Sequence, residues 1–211
     1  MATTSNTPEF DAGALGSASN VMLLAPSFET SGAQACGELL SVERPSQENV
    51  LAVILSDSPD DWLDRWDRTV GPERPAKTSF VTANEQTRSV AAAGSASNVL
   101  PGNMTIHTTS SPSDLTGLGM RISEQLSEWE ADDNRIVVDF DSLTTLLEYG
   151  DKRKVFKFVH VLKGRVEAAG ATAHYHMDPT AHSTEEVNTF KSLMDAVVEV
   201  NGDGTYSVSS R

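Results

Sequence analysis

Eight short apolar runs constrain the fold of this chain more than any other feature. They fall at residues 21–25, 50–55, 79–83, 104–107, 136–140, 171–177, 196–200 and 206–208. Several are continuous rather than alternating, the pattern of strands buried on both faces of a parallel sheet. Helix-like stretches with readable starts fill the intervals. SDSPDDW offers Ser58 as N-cap, Pro59 at the first helical position and Asp61 to close a capping box. TSSPSDL repeats the device with Ser111, Pro112 and Asp114, and HMDPTAH with Asp178 and Pro179. Each follows directly on a strand, which is the signature of a repeated βα unit with its loops at the carboxyl ends of the strands. The expected fold class is α/β, a three-layer αβα arrangement around a mostly parallel central sheet.

Two helices can be read residue by residue. Over residues 151–170, Val155, Phe158, Val159, Leu162, Val166 and Ala169 share one face, and Gly170 can end the helix. Over residues 115–129, Leu118, Ile122, Leu126 and Trp129 share another. Trp62 and Trp66, one turn apart, are expected in the core; exposed, they would mark a partner surface. Residues 1–18 are polar, small and aperiodic and read as a mobile tail, leaving residues 19–211 as one domain. Residues 84–102 read as a flexible loop within it. The string GSASNV occurs at residues 16–21 and 94–99, with no longer repeat around it, and is taken as coincidence.

Charge narrows the function classes. Thirty acids against sixteen bases give a net charge of −14, and only six of the bases are lysines. Such self-repulsion opposes compaction and disfavours nucleic acid and anionic membranes. It suits a salt-rich cytoplasm, where the Debye length falls to ~3 Å at 1 M salt. Cys36 is the only cysteine, which excludes an intrachain disulfide and a zinc cluster built of cysteines. No apolar run approaches the ~20 residues of a membrane span. The N-terminus has neither a basic region nor a signal-like apolar core. A soluble cytoplasmic protein is expected, with neither a nucleic-acid nor a membrane partner.

The stretch SNVMLLAPSFETSGAQACGELL reads as strand, tight loop, helix, the place where a phosphate-binding loop would lie. Such a loop needs G-x-x-x-x-G-K-[ST]: glycines to wrap backbone N–H groups round phosphate, a lysine for its charge and a hydroxyl for Mg²⁺. Laid on this sequence, the pattern puts Ala25 and Thr30 at the glycines, Ser31 at the lysine and Gly32 at the hydroxyl. Glu29 adds a negative charge, and the first lysine of the chain is Lys77. The loop lacks the groups that grip phosphate.

The strings NVLAVILSDSPDDWLDRW, SPSDLTGLGMRISEQLSEW and RIVVDFDSLTTLLEYGDKRKVFKFVHVLKGRVEAAGATAHYHMDPTAH nevertheless resemble the KaiC-like branch of RecA-type ATPases. They are more similar still to a degenerate haloarchaeal group of uncharacterised relatives, some labelled HTR-like. The resemblance covers roughly residues 20–200 and implies a RecA/KaiC-like P-loop NTPase fold with a degenerate phosphate loop. It places the Walker-B aspartate on Asp141, with Asp139 as a rival. The glutamate pair after the second strand falls on Ser56 and Asp57, so the first acid is missing. The implied remnant of the nucleotide pocket is Ser27, Glu29, Thr30, Ser31, Gly32, Asp57 and Asp141. The resemblance, with these losses, implies a pseudo-ATPase with no catalytic residue and no cofactor. Its role would be that of a regulatory or scaffolding module in signal transduction, acting through protein contacts. The alternative is an unusual ATPase that binds ATP and Mg²⁺, its phosphate loop replaced or supplied by a neighbouring subunit.

Two further clusters carry chemistry. His174 and His176 share a strand face, with Asp178 and His182 close behind, and imidazoles two apart with a carboxylate can ligate Zn²⁺. Against this, the histidines serve equally as strand residues and Asp178 as a helix cap, with His182 on the following helix. A metal-dependent enzyme using these four is therefore a second alternative. Lys152, Arg153, Lys154, Lys157, Lys163 and Arg165 place six of sixteen bases within fourteen residues. That is a solvated helix face, or a dock for an acidic protein partner or a second copy of the chain. His160, on the same helix, reads as packed or solvated.

Overall fold

All eight apolar runs become strands in the computed structural model, which describes residues 15–26, 30–41, 44–83, 103–201, 203 and 205–210. They are β1 (Asn20–Leu24), β2 (Glu48–Ile54), β3 (Lys77–Thr82), β4 (Met104–Thr108), β5 (Arg135–Asp141), β6 (Thr172–Met177), β7 (Ala196–Val200) and β8 (Tyr206–Ser210). One sheet holds them in the order β4-β3-β2-β5-β6-β1-β7-β8. Every pairing is parallel except β7 with β8, which closes the sheet as an antiparallel edge. Among the described residues six α-helices connect them: α1 (Thr30–Leu40), α2 (Pro59–Thr69), α3 (Leu115–Trp129), α4 (Leu143–Tyr149), α5 (Lys152–Ala168) and α6 (Thr184–Lys191).

Period-two alternation along the strands divides the core between the two faces. On one, Val21, Leu23, Val50, Ala52, Phe80 and Val137 meet α1 and α2 through Ala35, Leu39, Trp62 and Trp66. On the other, Met22, Leu51, Val53, Val138, Phe140 and Tyr175 meet α3, α4, α5 and α6. Helices on both faces make the expected three layers. The face read for α5 is buried at Val155, Val159, Leu162 and Val166, with Phe158 and Ala169 partly so. Leu118, Ile122, Leu126 and Trp129 of α3 are all buried.

Local signals hold in some places and are corrected in others. Ser58, Pro59 and Asp61 form the capping box expected at the start of α2. At α3 the cap is Asp114, not Ser111: residues 111–114 first close a turn (Asp114 N–H to Ser111 O, 3.1 Å), and Asp114 then accepts from the Gly117 N–H. Asp178 and Pro179 start only a single 3₁₀ turn, Pro179–Ala181, and α6 begins afterwards with its own Ser183–Glu186 capping box. His182 consequently ends that turn and does not lie on the helix. Of the expected tail, residues 1–14 lie outside the described residues, as does the expected loop at 84–102. Leu15 and Ala18 are not tail: they form a turn and pack against the α1–α2 face. Trp62 and Trp66 are 1% and 0% exposed, so they belong to the core and offer no partner surface.

Candidate functional site

The polar groups gather at the carboxyl edge of the sheet, on its α1–α2 face. Asp139 lies one pleat before Asp141 on β5, on the side opposite Val138 and Phe140. The parallel register sets it beside His174 of β6, and His176 follows on the same face. Above them, Trp62, Arg65, Trp66 and Thr69 form one stripe of α2 at spacings of three and four residues. Gly37 lets α1 approach that stripe, since a Cβ there would stand 2.5 Å from the Thr69 side chain. Its neighbour Cys36 is thereby brought over the histidines.

Asp139 is the hub. The Trp62 indole N–H donates to its Oδ2 at 2.7 Å. Its Oδ1 lies 3.2 Å from His176 Nε2 and 3.5 Å from His174 Nδ1, and those two nitrogens are 3.2 Å apart. No well-directed hydrogen bond reaches Oδ1, and His174 Nε2 is likewise buried without one. Arg65 Nη1 pairs with Asp141 at 2.9 Å and Asp57 at 3.3 Å, and Nη2 lies 3.9 Å from Asp139. One guanidinium therefore joins the carboxylate that follows β2 to those at the end of β5.

Burial and these neighbours set the protonation states. Burial alone would raise the Asp139 carboxyl, but His176, His174 and Arg65 hold it well below the usual carboxylate range. Burial pushes His174 down to about 4, so its ring is neutral at neutral pH. His176 is raised despite its burial. Burial, and then Asp139, push the Cys36 thiol up, so the negative charge that favours a protonated His176 at neutral pH is that of Asp139. Asp57 is raised by burial and by Asp141, against the opposing pull of Arg65.

A pocket of about 300 Å³ opens over this network, lined among others by Ala25, Gly32, Cys36, Asp57, Arg65, Asp141 and His176. Small-molecule sites commonly run from roughly 300 to 1,000 Å³, so the space is limited. Gly32, Asp57 and Asp141, expected in one nucleotide-pocket remnant, do share it. Ser27 and Glu29 lie outside the described residues, and Thr30 and Ser31 belong to the first turn of α1. The four residues read as a metal set are divided. Asp178 accepts from the Thr180 N–H and hydroxyl at 2.8 and 2.7 Å, and His182 Nε2 contacts Thr144 Oγ1 at 3.1 Å. His174 and His176 instead converge with Asp139 and Cys36. Sequence reasoning missed Arg65 as a site residue. Its signal was the three-residue spacing from Trp62, which puts a charge on the apolar stripe of α2.

Of the basic residues of α5, Lys152 pairs with Glu186 at 3.6 Å, Arg165 pairs with Glu130, and Lys163 bridges Glu167 and Asp195. Arg153, Lys154, Lys157 and His160 are exposed. No helix among the described residues is long and apolar enough to cross a membrane.

Fold and site thus define an α/β protein with a mostly parallel sheet and a charge-lined pocket at its carboxyl edge. The chain belongs to a family of unknown function, DUF7504, whose model matches residues 18–200. No curated protein matches it. Two solved structures from Pyrococcus horikoshii share the fold. One, titled a structural study of PH0250, is 12% identical with a TM-score of 0.56, over 92% of this chain and 86% of that one. The other, the uncharacterized protein PH0321 in complex with an unknown peptide, is 10% identical with a TM-score of 0.60, over 91% and 83%.

Proposed function

We propose that this protein is a nucleotide-independent module, a pseudo-ATPase of RecA/KaiC-like ancestry that regulates or scaffolds signalling through protein contacts. Arg65 carries the reading. It ties Asp57 and Asp141, the carboxylates that the resemblance puts at the nucleotide and Mg²⁺ end of the pocket, to one internal cation. A guanidinium already seated between two carboxylates competes with a divalent ion for the same charge. The loop after β1 has neither the lysine nor the glycines that would hold the phosphates. Both halves of a Mg²⁺–nucleotide site are thus compromised.

Partner contact is better served by the start of α5. Arg153, Lys154 and Lys157 are exposed there, without an ion-pair partner among the described residues, on a chain of net charge −14. Such a patch favours an acidic protein surface by complementarity and by steering. The same fold elsewhere carries a peptide, in the PH0321 complex. The reading is tested by calorimetric titration of the protein with ATP and Mg²⁺ in molar KCl. No heat beyond dilution is expected, and micromolar binding would overturn it.

A further inference from the structure

We propose that Cys36, Asp139, His174 and His176 form a four-coordinate site for a zinc-type divalent transition metal. The case is geometric. In a tetrahedral zinc site with bonds of ~2.0–2.1 Å to nitrogen and oxygen, ligand atoms stand ~3.3–3.4 Å from one another. The triangle of Asp139 Oδ1, His174 Nδ1 and His176 Nε2 has edges of 3.2, 3.2 and 3.5 Å. Cys36 Sγ completes the set, all four ligand atoms lying within 4.8 Å of one another. The longer zinc–sulfur bond of ~2.3 Å suits a fourth ligand set further out.

The setting of the carboxylate agrees with this. Asp139 Oδ1 is buried and lacks a well-directed hydrogen bond, although the carboxylate is 1% exposed at most. A buried carboxylate oxygen is costly unless a positive centre faces it; without metal the His176 imidazolium 3.2 Å away is that centre, and with metal the ion is. The Trp62 N–H holds the other oxygen, Oδ2, which orients Oδ1 toward the imidazoles as an outer-shell donor does around a metal. Mixed imidazole, thiolate and carboxylate donors select zinc over the hard cations Mg²⁺ and Ca²⁺. On binding, the Cys36 thiol and the protonated His176 ring each give up a proton to solvent, which frees His176 Nε2 as a ligand and lets the sulfur take the fourth position.

Four protein ligands leave no open position, so the ion is structural rather than hydrolytic. It would fasten α1 to β5 and β6 beneath the pocket. This assignment does not depend on how the pocket treats nucleotide.

The test is metal titration of chelator-treated full-length protein in molar KCl, first with Co²⁺ and then with Zn²⁺. Cobalt is expected to bind at one equivalent, with the intense visible bands of four-coordinate cobalt and a near-ultraviolet thiolate-to-metal band. Zinc should displace it. Because Cys36 is the only cysteine, that band in the unmodified protein reports this site without any variant. Cys36→Ser should abolish the band. His176→Gln should weaken binding by more than the roughly 10–100-fold typical of outer-shell changes. Failure to bind stoichiometrically, pale six-coordinate cobalt, or cobalt bound without the thiolate band would each overturn the four-ligand assignment.

Discussion

Arg65 sets the charge balance of the pocket, and its loss is the most informative single change there. Its side chain is 17% exposed and faces Asp57, Asp139 and Asp141. Methionine at this position would keep the packing of the stem and strand the carboxylates without their cation. Breaking a fully buried ion pair from one side costs about 3–5 kcal/mol, and the 17% and 42% exposure of Asp141 and Asp57 brings the cost here to about 2 kcal/mol. Arg65→Met should therefore lower the free energy of unfolding in denaturant by about that amount. Arg65→Lys should recover only part, since one ammonium can replace Nη1 between Asp57 and Asp141 but not also the second nitrogen that faces Asp139. A loss below ~1 kcal/mol, the value of a solvated surface pair, would remove Arg65 from this role. At this scale the sequence was only half legible. The carboxylates could be placed by resemblance and the histidines by their spacing on one strand. Cys36 and Arg65 could not, because only the packing of α1 and α2 over β5 and β6 brings residues 36, 65, 139 and 176 together.

Strands and helix faces were the legible elements, because burial acts on them directly. A parallel strand covered on both sides must be apolar along its length, and α5 must show its stripe at every turn. Helix starts were less legible, since Ser, Asp and Pro serve turns as readily as caps; Ser111 and Asp178 show both uses. The end of α5 is clearer. Gly170 follows it with φ +64°, and a Cβ added there would meet nothing within 4 Å. The penalty for a side chain is thus purely that of left-handed backbone, about 1–2 kcal/mol for an L-residue. Gly170→Ala should lower the melting temperature by roughly 2–4 °C per kcal/mol in a chain of this size. Gly170→Asn should lower it less, because asparagine tolerates that conformation better. A melting temperature unchanged by alanine would mean that the helix does not end in this turn in solution.

At the scale of the whole molecule, the net charge of −14 must be reconciled with a closed, two-faced core. A folded chain of this length has a radius of gyration of about 17 Å. At 0.01 M salt the Debye length is ~30 Å, so each surface acid feels most of the others across the molecule. At 1 M it is ~3 Å, and only groups in contact still interact. The long-range repulsion is therefore removed by salt, whereas the pairs of Arg65 with Asp141 and Asp57 are part-buried, in contact and weakly screened. Melting temperature should consequently rise with KCl from millimolar to molar. The rise should belong to screening, so sucrose at matched osmolality should give less of it. Arg65→Met should show the same salt slope at a lower temperature throughout, because the network it disrupts is local. A melting temperature and circular dichroism spectrum indifferent to KCl would show that the acidic surface is not what limits the fold, and the expectation of a salt-rich environment would lose its physical support.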